Sequence, residues 1–316
     1  GKKIGGIKVL KYLARNHPRI LMYHRISSSG QGDGISVDMF RQQMQVLARD
    51  FNVISLNELV LQTSNINTIP AHSVAITFDD GYEDFYLNAF PVLKELSLPA
   101  TLFVTTGFAN DETWLWPDKI KYLLFHTTLN QFPVPEIDKV FNIKESSFSA
   151  WNAIADYCLT IADKDKRVFI ALLGERLGVS LPVRAPEPYK GVNWAQINEM
   201  VAQGLDIGSH SVTHPVMTKL APEELRNELL DSKTTIERQI NKPIQGFCYP
   251  NGQSEDINEN VKQAIKAAGY QYAIAAFPTV NPLADQWAIN RYAASSDIKE
   301  FEKTIYGFRY QRLSRH

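Results

Sequence analysis

The chain has 316 residues and a formal net charge of −1, so no global field draws it toward nucleic acid, and none is expected as a partner. Hydrophobic residues make up 44% and charged residues 21%, a balance that excludes a disordered chain and supplies a large core. The length admits one large α/β barrel or two ordinary domains, and the order of elements has to decide.

The chain opens with seven Lys or Arg residues between Lys2 and Arg25 and no acidic residue before Asp33. Residues 1–18 read as a basic extension, either an exposed helix packed outside the fold or a surface-seeking segment making peripheral membrane contact. Cys158 and Cys248 are the only cysteines, too few for a disulfide framework. No apolar run approaches the ~20 residues of a membrane span, and the start lacks the apolar stretch of a secretion signal. The expected location is the cytoplasm or the inner membrane surface, with export if a leader has been removed.

From residue 20 onward, short apolar runs alternate with amphipathic stretches. Residues 20–23, 52–54, 74–78 and 101–104 read as buried strands, and 38–48, 56–61 and 91–96 as helices. The rhythm breaks over 108–190, which reads as an insertion with helices near 154–161 and 168–177, because a structureless loop that long is uncommon. After Trp194 it resumes, with helices at 196–202, 222–240, 261–268 and 298–306. Strands end near Gly208, surround Phe247, and cover 271–275 and 287–292. Such alternation favours parallel strands wrapped by helices, here a domain over 19–310 with a polar tail at 311–316.

Three short segments carry the chemistry. Ile76-Thr77-Phe78-Asp79-Asp80-Gly81 runs a buried strand into two carboxylates, whose side chains diverge at a strand end, so one can bind a metal while the other faces a water. The same residues could merely open a turn and cap a helix. His210-Ser211-Val212-Thr213-His214-Pro215 places two histidines four apart, which on a helical turn brings their Cβ atoms to about 5–6 Å. Two imidazoles and a carboxylate suit Zn²⁺, with Ni²⁺, Co²⁺ or Fe²⁺ fitting the same donors. Gly246-Phe247-Cys248-Tyr249-Pro250-Asn251-Gly252 is a strand meeting a turn that can aim a backbone N–H at a developing oxyanion, an effect of about 2.7–4 kcal/mol. Trp114, Trp116 and Trp194 are the flat rings that could stack on sugars, with core packing the commoner use.

These three motifs, in this order, resemble those of the polysaccharide deacetylase family, carbohydrate esterase family 4, over most of the chain outside the insertion. The resemblance implies a distorted (β/α)7 barrel with a helical insertion. It implies that Asp80, His210 and His214 hold a divalent metal, that Asp79 is the catalytic base, and that the Asn251 amide helps form the oxyanion hole. The segment from Ile20 to Arg25 is similar to the first motif of a circularly permuted branch that includes biofilm-polysaccharide N-deacetylases, which makes His24 the general acid, since imidazole exchanges protons near neutrality. The sequence departs from the family pattern at Cys248, where many members carry an arginine that orients the base. Arg291 is expected to supply that charge from another strand. Tyr249, Pro250 and Trp287 are expected to contact substrate.

The expected function is therefore removal of the N-acetyl group from an amino sugar of a bacterial exopolysaccharide or lipid-linked glycan, releasing acetate. O-acetyl ester or non-sugar amide hydrolysis on the same scaffold is an alternative within enzymes, and a catalytically silent glycan-binding protein is one outside them.

Overall fold

The apolar runs form one parallel sheet. In the computed structural model, which describes residues 9, 11–28, 34–61, 69–279 and 281–308, the principal elements follow in order. They are β1 (Arg19–Tyr23), α1 (Val37–Asp50), β2 (Ser73–Phe78), α2 (Phe90–Glu95) and β3 (Thr101–Val104). The inserted region holds α3 (Trp116–His126), β4 (Gln131–Val134), β5 (Lys139–Asn142), α4 (Ile143–Thr160) and α5 (Asp163–Leu177). Then come α6 (Trp194–Ala202), β6 (Asp206–Ser209), α7 (Pro222–Ile240), β7 (Gly246–Cys248), α8 (Glu259–Ala267), β8 (Tyr272–Ile274), β9 (Tyr292–Ala293) and α9 (Ile298–Ile305).

The strand order is β8-β7-β6-β3-β2-β1-β9. A parallel bridge between Ile274 and Ile289 joins the segment leading into β9 back to β8, and Ile289 N–H donates to the Ala273 carbonyl at 2.9 Å. The seven strands of this order therefore curl into a barrel, as the resemblance implied, with Asn52–Val53 as an eighth, short strand paired to the start of β2. The register along β1 and β2 runs from Arg19 opposite Val74 to Tyr23 opposite Phe78. Every residue of both strands is buried, as parallel strands covered on both faces require.

Alternation divides the burial into two layers. Leu21, Ile76, Leu102 and Val104 face outward into the helices, while Ile20, Ala75, Phe103, Tyr272 and Ile274 fill the interior. The interior rings need room. A Cβ on Gly208 would lie 2.3 Å from the Phe103 ring, and one on Gly246 would lie 2.6 Å from Tyr272. Local signals set the helix starts: the Ser36 hydroxyl accepts from Met39 N–H at α1, and Asn193 and Gln196 form a reciprocal capping box at α6.

Residues of the inserted region build their own apolar cluster, centred on Ile120, Leu123, Ile154 and Leu173. Its second helix and third helix were legible, but α3 and the β4–β5 hairpin were not. Pro117 lies in the first turn of α3, and Pro133 in β4 masks the strand signal. The helix α4 also breaks at Ser146, whose hydroxyl accepts from Ser149 N–H and so restarts it.

Among the described residues, no helix is long and apolar enough to cross a membrane. Of the expected basic segment, residues 1–8 and 10 lie outside the described residues, as does the expected tail at 311–316; of the rest, Tyr12 and Leu13 are exposed while Ala14 and His17 are buried.

Candidate functional site

The site sits where the strands end. Asp79 N–H donates to the Tyr23 carbonyl at 3.0 Å, extending the β1–β2 ladder by one residue, and the backbone then turns sharply. Asp80 has φ 74° and Gly81 φ 87°, and Gly81 N–H donates back to the Asp79 carbonyl. A left-handed aspartate is strained by about 1 kcal/mol or more, and this geometry turns both carboxylates into one cavity. The turn is pinned from outside, because Thr105 N–H donates to the Asp80 carbonyl and Val192 N–H to that of Gly81.

The histidines converge, though by another route than the helical turn expected from their spacing. Residues 210–216 form a loop after β6 with Ser211 at φ 68° and His214 at φ 59°. Glu228 of α7 organises it, accepting from the N–H groups of Val212 and Thr213 and from the Thr213 hydroxyl. These bonds outcompete helical ones, and nothing in the local spacing announced Glu228. Both imidazole Nε2 atoms lie 3.3 Å from Asp80 Oδ1. His210 Nδ1 donates to the Cys248 carbonyl at 2.8 Å, since a carbonyl can only accept, and this leaves Nε2 free to act as a ligand.

Asp80, His210 and His214 thus form a buried group able to hold one metal ion. The fit is supported by Asp80 Oδ1 itself, which is sealed from solvent and has no well-directed hydrogen-bond partner. Burial alone would raise the Asp80 pKa, but the neighbouring imidazoles outweigh it and hold the carboxyl well below its ordinary range. A second triplet, Asp79, His210 and Cys248, also lies close together. It suits a cation poorly, because Asp79 already faces a guanidinium and burial pushes the Cys248 thiol up, toward its protonated form.

Arg291 is fully buried inside the barrel and grips Asp79 with both arms, Nη1 to Oδ1 and Nη2 to Oδ2, each at 2.7 Å. Its Nε donates to the Ala275 carbonyl, Nη1 also reaches the Thr77 hydroxyl, and Nη2 lies 3.2 Å from Cys248 Sγ. A small side chain at position 248 leaves space for this guanidinium. Burial tends to raise the Asp79 pKa, and Arg291 beside it wins and lowers it. His24 Nε2 stands 3.9 Å from Asp79 Oδ2 with about half its side chain exposed.

His24, Asp79, Asp80, His210 and His214 line a cavity of about 530 Å³ that also takes in Tyr249, Asn251, Tyr82, Asp118 and Trp151. Asn251 adopts φ 61°, its side-chain amide is tied to Asp256, and its backbone N–H has no protein partner among the described residues. Of the three residues expected to contact substrate, Tyr249 lines the cavity. Pro250 and Trp287 are not among its lining residues; Trp287 packs on the barrel core and its carbonyl accepts from the Tyr249 hydroxyl. Trp114 and Trp116 are buried away from the cavity, and Trp194 is held by Asn110. Asp118 and Trp151 escaped sequence reasoning because only the fold of the insertion brings them here.

The family model described as polysaccharide deacetylase matches residues 67–137 and 141–273. The Bacillus subtilis (strain 168) protein YxkH is 22% identical over 260 residues, 82% of this chain and 64% of its own. The poly-β-1,6-N-acetyl-D-glucosamine N-deacetylase of Staphylococcus aureus (strain MSSA476) is 33% identical over 123 residues, 34% of this chain and 42% of that one. The alignments therefore span less than two thirds of these curated relatives. Among solved structures, Streptococcus pyogenes deacetylase PplD in complex with acetate shares the fold at a TM-score of 0.60 and 20% identity, over 91% of this chain and 97% of that one. Because the family match takes in both the strand that ends in Asp79 and Asp80 and the loop that carries His210 and His214, the chain belongs to the polysaccharide deacetylase family.

Proposed function

We propose that the protein removes N-acetyl groups from an amino-sugar polysaccharide, with poly-β-1,6-N-acetylglucosamine the first substrate to test. The observation that carries this reading is the juxtaposition of two differently equipped carboxylates: Asp80 faces two imidazole nitrogens at 3.3 Å, while Asp79 is clamped by a guanidinium and faces the open cavity. The Staphylococcus aureus relative is by name an N-deacetylase, a hydrolase of a carbon–nitrogen bond, which favours amide over ester.

In this reading Asp80, His210 and His214 hold a divalent cation, most simply Zn²⁺, which supplies Lewis acidity when bound. Asp79 stays ionised under Arg291 and accepts a proton from the attacking water through Oδ2, whose second lone pair remains toward the cavity. The water oxygen bonds to the acyl carbon, and the carbonyl becomes an oxyanion that the Asn251 N–H stabilises by donation. His24, whose Nε2 lies 3.9 Å from Asp79 Oδ2, protonates the sugar nitrogen as the carbon–nitrogen bond breaks, giving acetate and a free amine. The low basicity that Arg291 imposes on Asp79 is the cost of keeping the base charged and aimed.

The test compares acetate release from N-acetylated and O-acetylated glycans by metal-loaded protein. Release from the amide substrate, lost in Asp79→Asn with metal content unchanged, is the expected result. Release from esters alone, or full activity of the variant, refutes the assignment.

A further inference from the structure

Among the described residues, three carboxylates line the cavity, Asp79, Asp80 and Asp118. Asp79 is gripped by Arg291 and Asp80 faces the paired imidazoles, while Asp84, outside the cavity lining, pairs with Arg25 at 2.8 Å. Asp118, carried in the first turn of α3, lines the same cavity and is buried, yet among the described residues it has no ion-pair partner. Its Oδ2 accepts from the Tyr82 hydroxyl at 2.6 Å. The Arg25 guanidinium sits over the Tyr82 ring, 4.4 Å from its centroid, and its charge reaches Asp118, but its hydrogen bonds go to Asp84 and to the Pro188 carbonyl.

Next to Asp118 stands a flat apolar surface. Trp151 of α4 lines the cavity and its indole N–H donates to the Pro117 carbonyl at 3.0 Å, which fixes the ring against the residue preceding Asp118. Phe148 lies nearly parallel to it, at 16° with centroids 6.3 Å apart, and is 70% exposed. An apolar ring left in water beside a pocket is a face for stacking, and an unmatched buried carboxylate is a place for a positive hydrogen-bond donor.

We propose that Asp118 and the Trp151–Phe148 rings form a second sugar subsite, which takes a deacetylated unit carrying a free ammonium group beside the acetylated unit being processed. This rests on the amino-sugar reading above and extends it. The ring stacks on Trp151 and the ammonium donates to Asp118, so each turnover makes the group that the neighbouring subsite prefers. Burial pushes the Asp118 carboxyl up to about 7, a displacement that an adjacent cation would reverse.

Calorimetric titration of the wild-type protein with the fully deacetylated β-1,6-linked glucosamine tetramer tests this without any hydrolysis. Binding is expected to weaken about tenfold in Asp118→Asn, the loss typical of one charge-assisted hydrogen bond, and comparably in Trp151→Ala, with Trp151→Phe retaining most of it. Equal tetramer binding by wild type and Asp118→Asn overturns the subsite. Tetramer binding without acetate release from any N-acetylated glycan would sink the deacetylase reading and leave the subsite standing.

Discussion

The barrel and the inserted region solve different problems with different materials. In the barrel, strands buried on both faces end in side chains fixed by the ladder itself, and the residues at those ends meet with separations of 2.7–3.9 Å. The insertion holds a smaller core of its own and leaves Phe125, Val140, Phe148 and Val168 more than half exposed. Its contribution to the site comes from the first turn of one helix and one face of another. Under the proposed function, the ring sets where atoms react, and the helices beside it set what the reacting sugar is joined to.

The sharpest way to break this contrast is at the ring. Asp79→Asn is expected to lower acetate release by about 10²–10⁴-fold while metal content, read by elemental analysis, stays at the wild-type level. Next in size, Arg291→Met leaves a carboxylate buried without its partner. Denaturant unfolding should show a loss of about 3–5 kcal/mol, because an uncompensated charge costs more than the pair contributes. In the insertion, Leu123→Ala opens a cavity in the smaller core and should cost about 3 kcal/mol. If the two regions are separate packing units, hydrogen exchange will speed up in α3, α4 and α5 and leave β1 and β2 protected. Uniform loss of protection would erase the distinction drawn here.

The smallest effect is a pH dependence. The raised pKa of Asp118 means that the folded state binds this proton more tightly than the unfolded chain, so its contribution to stability is present at low pH and is lost as pH rises from about 4 to about 7. Asp118→Asn, which cannot ionise and can still accept from Tyr82, should therefore melt higher than wild type at pH 8. The gap should narrow toward pH 4. A gap independent of pH would mean that the carboxyl is not held neutral by burial.

Much of the ring was legible because its signals are local. A strand such as 73–78 announces itself as an apolar run, and two carboxylates at its end are visible in six consecutive letters. The pairing of Asp79 with Arg291 could be anticipated only from what position 248 lacks, since the partners are 212 residues apart in sequence. The convergence of His210 and His214 was foreseen and its cause was not, because Glu228 acts from the middle of a long helix whose pattern reads simply as amphipathic. Asp118 and Trp151 were invisible for the same reason. Neither belongs to a spacing that implies chemistry, and they meet the cavity only after Trp151 N–H has found the Pro117 carbonyl.

The pairing of β1 with β9 has a consequence for the chain as it is made. Asp80, His210 and His214 will all have left the ribosome while the guanidinium that grips Asp79 is still unsynthesised, so under the proposed function a nascent chain gathers the residues that would hold the metal before its base is in place. Closing so long a loop is entropically expensive and slow. Activity should accordingly appear as the last event of maturation, after the cation has already been captured.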